Sequence, residues 1–216
     1  APSKAHRDLF LDENGNYDKQ KAQFSLLSAG VPGTVSGLHH ALTKYGTMTW
    51  QEVLEPSIKL AKEGFAVPHD LANILASSRY KQRLSSNEAA AKSYYKNDKS
   101  NYQAGEILKL PDLAWTLNQL SINGPDAFYK GEIAKKIVKE MERNQGLISA
   151  EDLKNYKAVE RSPVEGTYKN FKIVSMPPAS SGGIHLIQML NMLEEFPIKE
   201  MGFGSADSIH ILAEVM

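Results

Sequence analysis

The stretch Ser180-Ser181-Gly182-Gly183, leading into apolar residues of helical character, is the most site-like feature of the sequence. A glycine-rich turn at a helix start can aim free backbone N–H groups at an anion. The glycines are adjacent and no Lys-Ser/Thr follows, so neither a P-loop nor a dinucleotide fingerprint is spelled out. The plainer reading is a tight strand-to-helix turn where glycine permits close packing. Ser181 and His185 stand four apart, as a nucleophile and base on one helix face would. The G-x-S-x-G elbow is missing, however, and a triad is defined by spatial geometry, so the pair is read as a structural serine and an ordinary helix histidine.

Other groups weigh less. His39-His40 invites a metal, but adjacent helix residues point about 100 degrees apart and share no ligand face. His39 lies beside an apolar stripe, which favours a buried or rim histidine. Asp12 to Asn16 resembles a calcium loop, yet its glycine comes too early and the closing glutamate is absent. Glu151-Asp152 and Glu194-Glu195 are weak candidates for a carboxylate pair, because acidic residues also belong near helix ends. Between Arg79 and Tyr102, six basic residues face two acidic ones, with Tyr80, Tyr94, Tyr95 and Tyr102 interleaved. Such a stretch could stack on bases; the plainer reading is a solvated, mobile surface.

These residues need elements to hold them. Asn14-Gly15 between short apolar stretches predicts a hairpin turn. From Pro32, the spacing of Val35, Leu38, Leu42 and Tyr45 predicts a helix closed by Gly46. Thr49 with Glu52 spells a capping box for the next helix, which Pro56 should kink and Gly64 should end. A polar helix follows Pro68 and runs into a mobile polar segment, about 85–105, poor in apolar anchors. Leu110, Leu113, Leu117 and Leu120 predict a helix to Gly124; Ile133, Ile137 and Met141 predict another to Gly146, its outer face laced by Lys135, Lys136 and Lys139 against Glu132, Glu140 and Glu142. Ser149 with Asp152 caps a short helix to about Tyr156. The period then changes to a strand pair, about 165–176, turning at Lys169-Asn170. The helix after Gly183 carries apolar residues all around, so it requires cover on most sides, and that cover is expected outside this sequence.

The bulk numbers exclude several classes. In 216 residues, 25 basic and 25 acidic side chains cancel, which argues against a dedicated binder of nucleic acid or anionic membranes. No run approaches the roughly 18 consecutive apolar residues of a membrane span. The absence of cysteine rules out disulfides, thiolate catalysis and cysteine-ligated zinc. Ala1 at the start and an unstopped helical pattern running to Met216 lead us to expect a piece of a longer chain. The residues alone give an α+β, predominantly helical piece without a self-sufficient active site, for which a noncatalytic helical binding module is the alternative reading.

Several stretches together resemble one family. Ala1-Pro2-Ser3-Lys4-Ala5-His6-Arg7-Asp8, Gly30-Val31-Pro32-Gly33-Thr34-Val35-Ser36-Gly37, Asn123-Gly124-Pro125-Asp126-Ala127-Phe128-Tyr129-Lys130-Gly131, Gly146-Leu147-Ile148-Ser149-Ala150-Glu151-Asp152-Leu153 and Met176-Pro177-Pro178-Ala179-Ser180-Ser181-Gly182-Gly183-Ile184-His185 are similar to the large subunit of bacterial γ-glutamyltranspeptidase, or glutathione hydrolase. The resemblance covers residues 1–216 as a single fragment. It implies part of an N-terminal-nucleophile hydrolase with an αββα sandwich, from a precursor that cuts itself into large and small subunits. It also implies glutathione and related γ-glutamyl compounds as substrates, an acyl-enzyme on a small-subunit threonine, transfer to water, amino acids or peptides, and a periplasmic or secreted location. No cofactor or metal, no nucleic acid and no membrane span are expected. The family's substrate arginine would lie just before Ala1 and its nucleophile beyond Met216. Thr34, Thr43, Thr47, Thr49, Thr116 and Thr167 do not occupy the nucleophile motif, so no catalytic, substrate-binding or metal residue is assigned within this sequence.

Overall fold

Capping chemistry sets many of the element boundaries in this computed structural model, which describes residues 1–216. The chain divides into two units, Ala1–Ala158 and Val159–Met216.

In the first unit the Asn14-Gly15 turn forms as expected. Leu11 bridges Tyr17, Gly15 takes a φ of 78°, and the Asp12 carboxylate accepts the N–H groups of Asn14 at 2.9 Å and Asn16 at 2.8 Å. The helices α1 (Lys19–Phe24), α2 (Thr34–Tyr45) and α3 (Trp50–Glu63) follow. Asp18 caps α1, a short helix that no apolar stripe announced. Both halves of the Thr49–Glu52 capping box are present, α3 continues through Pro56, and Gly64 ends it at a φ of 94°. Strand β1 (Phe65–Ala66) precedes α4 (His69–Ala76), α5 (Ser78–Ser85) and α6 (Glu88–Tyr94), and pairs antiparallel with β2 (Ile107–Leu108). Then come α7 (Pro111–Asn123), α8 (Asp126–Tyr129), α9 (Glu132–Arg143) and α10 (Ala150–Lys154), the last opened by a Ser149–Asp152 capping box.

Two details depart from the sequence pattern. On α2, Val35, His39 and Leu42 are half-buried, whereas Leu38 and Tyr45 stand 59% and 73% exposed, so half of the expected stripe faces outward. Within 85–105, α6 forms under an Asn87 cap and Tyr95 is buried, its hydroxyl donating to the Leu75 carbonyl at 3.0 Å. An aromatic side chain supplies the anchor that a search for aliphatic periodicity misses.

Three clusters make the core of this unit. Tyr129, Ala134, Met141, Ile148 and Leu153 form one, Leu120, Ala127 and Ile133 a second, and Val67, Ala72 and Leu108 a third. The indole N–H of Trp50 donates to the Leu120 carbonyl at 2.9 Å, tying the start of α3 to α7.

The second unit holds an antiparallel hairpin, β3 (Val164–Tyr168) and β4 (Phe171–Ser175), whose register pairs Gly166 with Ile173. Lys169 takes the turn with a φ of 51°, and its N–H donates to the Glu194 carboxylate. Helices α11 (Gly182–Leu193), α12 (Ile198–Met201) and α13 (Ala206–Val215) complete it. Helix α11 lies directly on β3, because a Cβ at Gly166 would meet Ile187 Cγ1 at 3.2 Å and overlap its Cγ2. Only Gly183 and Ser208 are buried in this unit. Ile184, Leu186 and Met192 of α11 and Phe171, Val174 and Met176 along the hairpin are exposed.

Candidate functional site

The turn from Pro177 to Gly183 joins β4 to α11. Ser180 donates its N–H to the Pro177 carbonyl at 3.2 Å, and its hydroxyl accepts the Gly182 N–H at 3.3 Å. An N–H that would greet an anion is therefore already engaged by a side chain of the same turn. Arg161 Nη1 donates to the Pro178 carbonyl at 3.1 Å and holds the turn from outside. Gly183 is needed for packing, since a Cβ there would collide with the Met176 carbonyl and lie 2.8 Å from Val164 Cγ2. At Gly182 the nearest neighbour would be Ser180 Oγ at 3.5 Å, ordinary contact. The geometry thus favours the strand-to-helix turn at Gly183.

Ser181 and His185 are both exposed, and the contact between them is the helical bond from His185 N–H to the Ser181 carbonyl at 3.0 Å, not a hydroxyl–imidazole bond. His39 packs edge-on against Trp50, ring centroids 5.1 Å apart, which is the rim role expected of it. His40 is exposed, and no group of three His, Asp or Glu side chains gathers in metal-binding range.

Both carboxylate pairs are engaged in structure. Glu151 accepts from Asn155 Nδ2 at 2.6 Å, while Asp152 serves the Ser149 cap and also accepts the Ser3 N–H at 2.8 Å. Partial burial pushes the Asp152 carboxyl up, but the bonds from Ser149 and Ser3 outweigh it and hold the group down at about 2. Glu194 is taken up by the hairpin turn.

The basic stretch is folded rather than loose. Lys96 pairs with Glu106 at 2.7 Å and sits 5.7 Å from the centre of the Tyr102 ring. Lys81 faces the ring of Tyr95. Lys92, Lys96 and Lys99 line a concavity of about 450 Å³ beside Tyr95. On α9, Lys135 pairs with Glu132 at 2.6 Å, while Lys136 lies over Trp115.

One constellation was missed in the sequence. The Tyr129 hydroxyl donates to the Pro32 carbonyl at 2.9 Å and accepts the Ser36 N–H at 3.2 Å. Its ring stacks on Tyr156, centroids 5.6 Å apart and 6° from parallel. A Cβ at Gly33 would overlap the Tyr156 hydroxyl, and Ser36 Oγ accepts the Ala158 N–H at 3.3 Å. Gly33 therefore serves the entry to α2, which two tyrosines clasp. Burial raises the Tyr129 hydroxyl's pKa, so it stays a neutral donor. Nothing in the local pattern of Tyr129 or Tyr156 pairs them with residues about a hundred positions earlier.

No triad, metal cluster or phosphate loop is assembled among residues 1–216, and what the chain presents is a cored helical unit and an open helix-on-hairpin layer. A family profile described as Gamma-glutamyltranspeptidase matches residues 1–216, and the chain belongs to that family. It is 48% identical over 214 residues to a glutathione hydrolase proenzyme of Escherichia coli (strain K12), covering 99% of this chain and 37% of that protein. A glutathione hydrolase proenzyme of Pseudomonas sp. (strain A14) is 40% identical over 216 residues, again with 37% of its length covered. The crystal structure of Helicobacter pylori gamma-glutamyltranspeptidase superposes with a TM-score of 0.95 at 41% identity, over 100% of this chain and 61% of that one. The chain thus spans little more than a third of the curated relatives it matches. Its α+β, predominantly helical fold is the one expected for part of an N-terminal-nucleophile hydrolase.

Proposed function

We propose that this chain forms the scaffold of an enzyme that cleaves the γ-glutamyl amide of glutathione and related compounds, with the reacting hydroxyl supplied from outside residues 1–216. In that reading a small-subunit threonine, freed as a new N-terminus when the precursor cuts itself, attacks the γ-carbonyl. The amine leaves with a proton, and water, an amino acid or a peptide then takes the γ-glutamyl group from the acyl-enzyme. The small subunit of the same precursor is the partner, and a periplasmic or secreted location goes with this reading.

The observation that carries the proposal is the match of all 216 residues to the family, joined to the exposed Ile184, Leu186 and Met192 side chains of α11. Exposed apolar patches of this kind mark surfaces built to be covered, and a two-stranded hairpin is marginal alone. The proenzyme names of the relatives support a processed precursor as the source of that cover. The test is γ-glutamyl release from glutathione or a chromogenic γ-glutamyl anilide. The processed full-length protein turns over and residues 1–216 alone do not; turnover by the isolated chain, or an inert processed enzyme, overturns the reading.

A further inference from the structure

The sequence contains two Asn-Gly dipeptides, Asn14-Gly15 and Asn123-Gly124, and the fold treats them in opposite ways. Asn123 closes α7. Its carboxamide donates to Gln119 Oε1 at 3.4 Å, and the Gly124 N–H is bound to the Leu120 carbonyl at 2.9 Å at the end of a helix that packs on its neighbours. Asn14 sits at the exposed tip of a turn closed by the single bridge between Leu11 and Tyr17. Its own N–H is held by Asp12 and its carboxamide carries no hydrogen bond, while the space where a Cβ would sit is open at Gly15 and Gly124 alike. The Gly15 N–H is engaged only by the Asp12 carbonyl, at 3.1 Å, within that tip.

We propose that Asn14-Gly15 is a self-modification site, where the chain converts Asn14 to aspartate and isoaspartate without a catalyst. Gly15 N gives up its proton to solvent and attacks Asn14 Cγ. The new C–N bond forms as the Cγ–Nδ2 bond breaks, and the amide nitrogen takes up a proton and leaves as ammonia. Water then opens the five-membered imide. Cleavage of the bond to Cγ leaves aspartate, and cleavage at the main-chain carbonyl leaves isoaspartate with the backbone routed through Cβ and Cγ. Only water is consumed. Proximity favours the attack wherever the backbone is free to turn, and glycine places no side chain in its way. An exposed tip held by the Leu11–Tyr17 bridge and the local Asp12 bonds, with no apolar packing behind it, opens at lower cost than a packed helix end. The product sets a second carboxylate beside Asp12, and isoaspartate lengthens the loop, so the Asp12 bonds to Asn14 and Asn16 are lost with the bridge.

Ageing the full-length protein at neutral pH, followed by tryptic mapping, tests this. Peptide Asp8–Lys19 carries Asn14, and peptide Leu110–Lys130 carries Asn123. In the folded protein Asn14 converts at least about tenfold faster than Asn123, as an opening free energy lower by roughly 1.4 kcal/mol requires. In denaturant the two rates converge, and Asn16, followed by bulky Tyr17, stays intact throughout. Equal rates in the folded protein, or a gap that persists unchanged in denaturant, overturn the proposal.

Discussion

The first 158 residues bury their own apolar side chains and the last 58 do not. Every buried hydrophobic residue, from Ala61 to Leu153, lies in the first unit, while the second buries only Gly183 and Ser208 despite the apolar run of α11. Apolar content therefore says how much cover an element needs but not where the cover comes from. In the first unit the partners are neighbours such as α3 with α7 and α8 with α9. In the second, α11 packs on the hairpin and against α13, and apolar side chains of α11 and the hairpin are still left in water.

The comparison can be broken most severely at Leu153, which has no exposed surface. Leu153→Ala removes about 2–5 kcal/mol of stability by leaving a cavity, read as a drop in the denaturation midpoint at constant slope. Tyr129→Phe keeps the stack on Tyr156 but strands the Ser36 N–H and the Pro32 carbonyl, costing about 1–3 kcal/mol. Hydrogen exchange should then rise first at Ser36.

Asp152→Ala loses the reciprocal half of the α10 capping box, made to the N–H and hydroxyl of Ser149, together with the bond to Ser3, at about 1–2 kcal/mol. The sign of its pH dependence follows from a folded pKa held near 2, below the ordinary 3.8. The stabilisation is full above about pH 4 and disappears as pH falls toward 2, so wild type and Asp152→Asn converge in acid and diverge at neutral pH. At the small end, Ile184→Ser should change the stability of residues 1–216 by no more than about 1 kcal/mol, since its side chain is already 45% exposed. In the full-length protein the same change should weaken assembly with the remainder, seen as loss of processed enzyme. A large effect on the isolated chain would show that α11 is covered from within.

Residues that act on their own neighbourhood were legible. Thr49 with Glu52, Ser149 with Asp152, Gly46, Gly64 and the Asn14-Gly15 turn all work within a few positions, and each stands where the pattern put it. The outward turn of Leu38 and Tyr45 was not legible, because the inward positions of α2 are held by His39 and Leu42, and a polar ring against Trp50 leaves no apolar signal. Tyr95 and the Tyr129–Tyr156 clasp escaped for a related reason: each aromatic joins partners far along the chain through one hydroxyl, which no local period records. The turn at Ser180–Gly183 was located correctly, but whether its glycines serve packing or a ligand depended on Met176 and Val164 behind Gly183.

The tyrosine clasp also sets a timetable for synthesis. The tertiary seat of Pro32, Gly33 and Ser36 depends on Tyr129 and Tyr156, and Ser3 waits for Asp152, so neither can settle until the ribosome has released residues some 93 to 149 positions downstream. At about 5–20 residues per second, that is a delay on the order of ten seconds. During it the entry to α2 lacks both of the aromatic rings that hold it.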